Sequence, residues 1–555
     1  MTPALPLAFL PPTILGVVLL AILVGWTLRE AARKDSAFKI GWKWWLLAAL
    51  TVLSFRWPLL WTPHQMNPDE SQLIAGAITL RHDPVFWRSV DGGTAGPFDY
   101  YPLLPAAWGD GPASYAIARL IGVAAMLGAL FFLGETLAVV AGTTIARVAL
   151  LPAITFQALT TSPDFIHCST EVMPVLLFSA AGYVAVAGQD ARSTARLWLV
   201  GLLLGSMPWA KLQATPLAAG LWAAVALHEL RAHRPRALFP LLAGGLLPTL
   251  GCFALTTFTG ETANMLTPYL ARNLVYVQNL PDGRLLLQWR NALTDGYLAF
   301  WLAGTAVFVT WSLWRMRRAP EKLRLGALVG GGLLALSVWS VIAPSRPSTH
   351  HLLLLLPALV WTGGVALAVI ASPATPTAPA KNCLLLAAFF LIVCVLPSVA
   401  WRWHAGDTFA AFTQTDVRPA RRRLTELVRR YSTPDEPLAI WGWRTSLYVE
   451  AGRRQATRQA QSEAQIYPNA LQGYFLRRYF EDFRAANPAV FADAVGPGNF
   501  VFEDRSRAHE CFPLLRNWVQ ARYTLVADLD GTRLYVRDDR LPGAHAFPLP
   551  APRAP

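Results

Sequence analysis

Long apolar runs recur through the first 401 residues of this 555-residue chain, and they constrain its fold more than any other feature. An α-helix needs about 20 such residues to cross the hydrocarbon core of a bilayer. Charged residues make up only 15% of the chain, whereas soluble domains carry about 25%. This composition excludes a water-soluble enzyme, a disordered chain and a disulfide-rich secreted module.

The apolar runs predict about twelve transmembrane helices, and the loops between them alternate between basic and acidic. Because Lys and Arg collect in cytoplasmic loops, the acidic loops and both termini face outward. The net charge of +14 then records membrane orientation, and no nucleic acid is needed to explain it. We expect a polytopic α-helical membrane protein in a bacterial inner membrane. The predicted spans are 7–28, 44–62, 113–134, 145–160, 171–188, 197–210, 213–229, 237–259, 296–314, 325–343, 351–371 and 382–401.

From about residue 402 the apolar runs stop, and Arg, Asp, Glu and Gln become frequent. Pro419 to Tyr431 has apolar residues at helical spacing, 437–443 has the pattern of a buried strand, and 523–537 that of a hairpin around Leu-Asp-Gly. We therefore predict a transmembrane domain at 1–401, a C-terminal soluble α/β domain at 402–540 in the periplasm, and a disordered tail at 541–555.

The first outer loop, 63–112, opens with Asn67-Pro68-Asp69-Glu70. One interpretation is a helix start, with Asn67 as the cap and the two acids complementing the helix dipole. That role is compatible with catalysis. The rest of the loop is rich in Gly, Pro, acidic and aromatic residues, among them Tyr100 and Tyr101, and long structured loops of this kind are usually functional.

An outer loop that opens with an Asp-Glu pair, continues as a helix and closes on a Pro-Leu element resembles the GT-C polyprenyl-phosphate-sugar-dependent glycosyltransferases. Asp69-Glu70 matches their acidic motif, and Tyr101-Pro102-Leu103 stands where many relatives have Pro-Pro-Leu. Gln72 and Tyr100 replace an Arg and a Lys of the aminoarabinose transferases, so the resemblance favours the wider RgtA-like group. It implies a GT-C-like fold, a polyprenyl-phosphate sugar donor, and Asp69 and Glu70 as catalytic residues.

Lys211 is the only one of six lysines that lies at an outward-facing corner between spans. An ionisable group at such a depth indicates function, although a lysine can also extend its ammonium to the interface. Arg346, His350 and His351 form a second outward basic cluster, at the head of a span. The resemblance suggests that these four residues bind the donor phosphate. Interfacial anchoring is the alternative for the cluster.

The second outer loop, 160–171, carries Asp164, His167 and Glu171 at spacings of three and four, which on a helix is one face. These residues, with Tyr100 and Tyr101, are candidate substrate contacts. Because carboxylates suit hard cations, Asp69, Glu70 and Asp164 are candidate ligands for Mg²⁺ or Mn²⁺. Ordinary helix-start chemistry is the alternative for this loop.

Together these observations predict an inverting glycosyltransferase that moves a sugar to an acceptor hydroxyl of a lipid, a cell-envelope glycan or a protein. Membrane lipids surround it and the C-terminal domain binds or gates the acceptor. A lipid-linked-sugar flippase or transporter and a non-catalytic assembly subunit are the alternatives. Transporters usually show two similar halves, which this chain lacks.

Overall fold

The computed structural model describes residues 10–31, 39–109, 111–187, 193–278, 284–344, 348–372, 396–397 and 419–541. The main elements are α1 (Leu10–Ala31), α2 (Trp42–Leu60), α3 (Pro68–His82), α4 (Pro112–Ala141), α5 (Thr143–Leu159), α6 (Val172–Ala187), α7 (Thr194–Ala210), α8 (Thr215–Arg231), α9 (Leu238–Phe258), α10 (Arg272–Gln278), α11 (Arg284–Thr294), α12 (Gly296–Arg315), α13 (Glu321–Ile342), α14 (Leu356–Ala371), α15 (Pro419–Tyr431), β1 (Leu438–Gly442), α16 (Gln472–Ala486), β2 (Val490–Ala494), α17 (Pro513–Gln520), β3 (Tyr523–Leu529) and β4 (Thr532–Arg537).

Six helices of the described residues are long and apolar enough to cross a membrane: Pro12–Ala31, Pro112–Ala141, Pro235–Phe258, Gly296–Arg318, Glu321–Ile342 and Thr349–Ala371. Five further predicted spans fall on α2, α5, α6, α7 and α8, which have 16 to 19 residues. The predicted span at 382–401 lies, apart from 396–397, outside the described residues. The chain is a polytopic α-helical membrane protein with a C-terminal α/β domain.

The chain divides into two compact units. The helical unit comprises the described residues of Met1–Leu60, Arg119–Ala254 and Tyr276–Thr413. The sheet unit comprises those of Trp61–Ala118, Leu255–Val275 and Gln414–Pro555. The sheet unit therefore joins the first predicted outer loop to the C-terminal α/β region.

Inside the helical unit, a buried arginine of α2 holds the second outer loop in place. Arg56 is only 2% exposed. Its Nε donates to the Gln157 carbonyl at 2.6 Å and its Nη2 to the Phe165 carbonyl at 3.1 Å. Both acceptors are carbonyl oxygens near helix ends, where no intrahelical donor satisfies them. The buried guanidinium thus fixes the chain on either side of 158–164.

The sheet unit is built on a four-stranded sheet of order β1-β2-β4-β3, in which β1 and β2 are parallel and the other pairs antiparallel. The predicted strand at 437–443, the hairpin at 523–537 and the helix at 419–431 are confirmed by β1, β3–β4 and α15. The hairpin turns at Asp530 and Gly531, which both have positive φ, as a tight turn joining two twisted strands requires.

Helices cover both faces of this sheet. Residues Leu424 and Val428 of α15 pack on one face, and so does Ala75 of α3. Tyr479 and Phe483 of α16 pack on the other face, with α17. The acidic motif of the first outer loop therefore begins a helix that belongs to the core of the α/β region.

Candidate active site

The acidic pair lies in the first turn of α3, and local chemistry explains why the helix begins there. Asn67 caps it, because its Oδ1 accepts from the Asp69 amide at 2.8 Å, and Pro68 supplies the preset φ of a first helical residue. The Glu70 carboxylate turns back and accepts from the Met66 amide at 2.9 Å. Glu70 is 1% exposed, whereas Asp69 is only partly buried. The capping prediction is confirmed, and Asp69 is the more accessible of the two carboxylates.

Tyr100 packs directly against this helix. Its ring lies on Gly76, where a Cβ would stand 2.2 Å from Cε1, so only glycine allows the close approach. Burial raises the pKa of Tyr100, although its hydrogen bond with Gln72 opposes that shift. The phenol stays protonated and available as a donor. Tyr101 is different, because its hydroxyl donates to the Pro84 carbonyl at 2.6 Å.

A buried carboxylate, Asp91, ties the same loop to the C-terminal region of the sheet unit. Its Oδ2 accepts from Arg478 Nη1 at 2.8 Å and from Gln459 Nε2 at 2.9 Å, and its Oδ1 accepts from the Gly93 amide at 2.9 Å. Its amide donates to the Arg458 carbonyl at 2.7 Å. The loop is held as one folded piece with the α/β region.

In the helical unit, Lys211 and Glu171 form a buried ion pair, with side chains 3% and 0% exposed. Lys211 has extended backbone geometry at the point where α7 ends, just before α8. Its side chain therefore projects from the turn between these two helices. Its Nζ also donates to Thr170 Oγ1 at 2.6 Å. The lysine therefore points into a buried polar cluster.

His350 and His351 join this cluster from a 3₁₀ helix, Thr349–Leu355, that precedes α14. Their Nε2 atoms lie 4.0 and 3.9 Å from Glu171 Oε1, and their rings meet edge to face at 4.9 Å. Successive residues of an α-helix point too far apart to share a ligand in this way, so the non-helical start brings both imidazoles to one carboxylate. Arg346, the fourth predicted phosphate ligand, lies outside the described residues.

Asp164 completes the cluster, with its Oδ1 3.7 Å from His350 Nδ1. Burial favours its neutral form, but hydrogen bonding and attraction from His350 together lower its pKa to about 2. Glu171 has the ammonium of Lys211 as its ion-pair partner.

The prediction that Asp164, His167 and Glu171 share a helix face is wrong. The helix is only Pro163–Ile166, and His167 has extended geometry. The chain then passes close to α4, where a Cβ on Gly122 would stand 3.1 Å from Cys168 Cα. Asp164 and Glu171 nevertheless converge, because both lie against His350. His167 meets the same ring edge to face at 5.9 Å.

Glu171, His350 and His351 offer ligand atoms that all lie within 4.8 Å of one another. Two imidazoles and a carboxylate suit Mn²⁺ or Zn²⁺ better than Mg²⁺, which prefers oxygen ligands. Lys211 competes for the same Glu171 oxygen, so a cation there would have to share Glu171 with the ammonium. This group differs from the predicted metal ligands Asp69, Glu70 and Asp164.

A second group, Asp493, His509 and Glu510 in the sheet unit, has similar spacing. Arg533 donates to both of its carboxylates and supplies the positive charge there.

An apolar groove begins on the same segment as the two histidines. Leu352 and Leu355 of the 3₁₀ helix line it, and helices α11, α12, α13 and α14 form its walls, around a cavity of about 600 Å³. Nearly all lining side chains are aliphatic or aromatic. The same 3₁₀ helix therefore contributes side chains to the polar cluster and to the apolar groove.

No family model matches the chain, and no curated protein sequence does. Solved structures do match. ArnT from Cupriavidus metallidurans, bound to undecaprenyl phosphate, superposes with a TM-score of 0.59 at 14% identity, over 91% of this chain and 99% of that one. The same protein in the apo state gives 0.55 at 14% identity, over 90% and 98%. The chain has the GT-C fold.

An oligosaccharyltransferase from Archaeoglobus fulgidus, tethered with an acceptor peptide, gives a TM-score of 0.46 at 14% identity, over 89% of this chain and 73% of that one.

Within this GT-C fold, the structure brings the predicted site residues together in two groups. Asp69, Glu70, Tyr100 and Tyr101 lie around α3 in the sheet unit. Lys211, Asp164, His167, Glu171, His350 and His351 lie together in the helical unit. Sequence reasoning missed Thr170, whose hydroxyl accepts from Lys211, and the docking role of Asp91. The only signal for Asp91 was its place beside two glycines in an acidic loop.

Proposed function

We propose that this protein is an inverting glycosyltransferase that moves a sugar from a polyprenyl-phosphate donor to an acceptor hydroxyl, on the outer face of a bacterial inner membrane. One observation carries the proposal. A buried cluster holds Lys211 and two histidines, and Leu352 and Leu355, which follow those histidines closely in the chain, line an apolar groove of about 600 Å³. A lipid phosphate has a charged end and an apolar end, and this arrangement provides for both.

The charged end of the donor would contact Lys211, His350 and His351. When the bond between the anomeric carbon and the phosphate oxygen breaks, the departing prenyl phosphate gains negative charge. Preorganised positive groups and imidazole donors stabilise such charge most in a site that excludes water, and Lys211 is 2% exposed. A divalent cation bound by Glu171, His350 and His351 would add positive charge at the same place. The isoprenoid chain would lie in the groove.

Asp69 is the general base of the proposed reaction. Its partly exposed carboxylate, with its backbone fixed by the Asn67 cap, would take the proton of the acceptor hydroxyl as the oxygen bonds to the anomeric carbon. A positioned base of this kind contributes a factor of about 10²–10⁴. Glu70 accepts from a backbone amide, and we assign it the role of orienting Asp69.

The test uses purified protein in lipid nanodiscs with a panel of polyprenyl-phosphate sugars, and mass spectrometry detects both the glycosylated acceptor and free polyprenyl phosphate. Asp69→Asn should abolish transfer while the melting temperature stays unchanged. Asp83→Asn is the matched control, because Asp83 ends the same helix in an exposed pair with Arg88, and it should retain full activity. Near-normal transfer by Asp69→Asn would refute the proposal. So would protein in closed vesicles that moves intact donor across the vesicle membrane without transferring its sugar.

A further inference from the structure

The first turn of α3 receives a buried contact from far along the chain. Thr445 follows β1 and is 0% exposed. Its hydroxyl donates to the Pro68 carbonyl at 3.0 Å and lies 2.7 Å from Ser71 Oγ. These two residues flank Asp69 and Glu70 directly. The contact therefore reaches the backbone turn that carries the acidic pair.

Ser71 extends this contact into a short network. Its hydroxyl also lies 2.5 Å from Gln65 Oε1 and 3.0 Å from the Pro68 carbonyl. Gln65 precedes the helix, so the network ties the incoming chain to its first turn. Without the Thr445 hydroxyl, the Pro68 carbonyl and Ser71 Oγ would each lose one hydrogen-bond partner, and a lost hydrogen bond costs more in a buried site than in an exposed one.

The C-terminal α/β region also contacts the far end of α3. The Gln455 backbone amide donates to Thr79 Oγ1 at 3.0 Å, and Ala75 lies in a buried cluster with Ile440 and Leu447. With Thr445 at the start and Gln455 near the end, the helix is held along its length. Thr445 is the member of this set that touches the turn bearing Asp69.

We infer that Thr445 is a positioning residue, through which the C-terminal α/β region sets the direction of the Asp69 carboxylate. This inference rests on the proposed function of Asp69. The hydroxyl fixes the Pro68 carbonyl and Ser71, these fix the turn, and the turn fixes the carboxylate. Displacement of a reacting group by about 1 Å is enough to cost a factor of roughly 10² in rate, so a hydroxyl that never meets substrate governs turnover.

The experiment compares Thr445→Val, which keeps the shape and removes the hydroxyl, with Thr445→Ser, which restores it. Thr445→Val should lower kcat about tenfold or more, with the KM for donor unchanged, and Thr445→Ser should recover most of the loss. Ser432→Ala removes another buried hydroxyl of the same region, bonded to Arg453 and the Val428 carbonyl, and should leave kcat unchanged.

Hydrogen exchange at the amides of 69–72 provides a measurement that does not depend on activity. Thr445→Val should accelerate exchange there about tenfold, and Ser432→Ala should not. Wild-type kcat together with wild-type exchange in Thr445→Val would overturn the inference, as would failure of Thr445→Ser to rescue, or an equal loss in Ser432→Ala. If the wild type transferred no sugar from any donor, the proposed function would fail, while the exchange data would still decide whether Thr445 holds this turn.

Discussion

Replacing the two members of the Lys211–Glu171 pair separately and together should separate the structural role of the pair from its chemical role. Both side chains are almost fully buried. Lys211→Met leaves the Glu171 carboxylate beside two histidines, and Glu171→Gln removes the negative charge that pairs with the ammonium. Removal of one partner of a buried pair costs about 3–5 kcal/mol of unfolding free energy, whereas removal of both is often nearly neutral. The double variant should therefore be several kcal/mol more stable than the two single losses combined would give.

Transfer should behave differently from stability. If Lys211 stabilises the departing phosphate, the double variant recovers its fold but not its activity, and kcat/KM for the donor stays about 10²–10³-fold below wild type. Denaturant unfolding in detergent measures the first quantity and a donor-consumption assay the second.

Another buried pair of the helical unit, Arg196–Glu229, supplies the control. Its atoms are 2.8 Å apart and its side chains 8% and 2% exposed. The double variant Arg196→Met/Glu229→Gln should show the same non-additive stability with normal transfer. Additive losses at Lys211 and Glu171, or full activity in their double variant, would refute the reasoning.

Three further perturbations test other parts of the structure. Because the pKa of Asp164 is lowered from 3.8 to about 2, its ionised form adds about 2 kcal/mol of stability above pH 4, and this stability is lost as the pH falls toward 2. Lowering the pH from 6 to 3 should therefore reduce the melting temperature of the wild type more than that of Asp164→Asn. Parallel curves of melting temperature against pH would contradict this. Gly76→Ala places a methyl group 2.2 Å from Tyr100 and should cost about 1–3 kcal/mol in denaturant unfolding, whereas Gly473→Ala, with open space around it, should cost nothing. After chelation, added Mn²⁺ or Zn²⁺ should raise the melting temperature of wild type but not of His350→Ala; an equal rise in both would place the cation elsewhere.

Local sequence patterns predict the local structure of this protein. Arg and aliphatic residues alternate at 419–431 and predict a helix, and the helix has those bounds. The Asp-Gly pair after Tyr523 predicts a hairpin because those residues tolerate positive φ. The strand β2 was not predicted. It carries the buried Asp493, whose carboxylate is bound by His509, Arg533 and the Val495 amide.

In the candidate site too, short-range contacts are predictable from the sequence and long-range contacts are not. The cap at Asn67 is a short-range feature, and its residues are neighbours in the sequence. The bond between Ser71 and Thr445 joins residues 374 positions apart, and no periodicity encodes it. The helix-face prediction for the second outer loop is wrong because close packing of Cys168 on α4 sets the backbone conformation there. Spacing rules assume that one element continues through all the residues concerned.

The seating of α3 in the sheet unit has a practical consequence for anyone who would re-engineer this protein. A boundary drawn after the last span suggests a detachable module, yet the fold of that module needs a helix encoded at 68–82. Deleting the chain from residue 419 onward would remove the residues that pack against Ala75. A hybrid that exchanges the sheet unit between two proteins of this fold would need to move three separate stretches together, 61–118, 255–275 and the C-terminal region. Grafting the C-terminal region alone would leave the recipient's own α3 packed against a foreign partner.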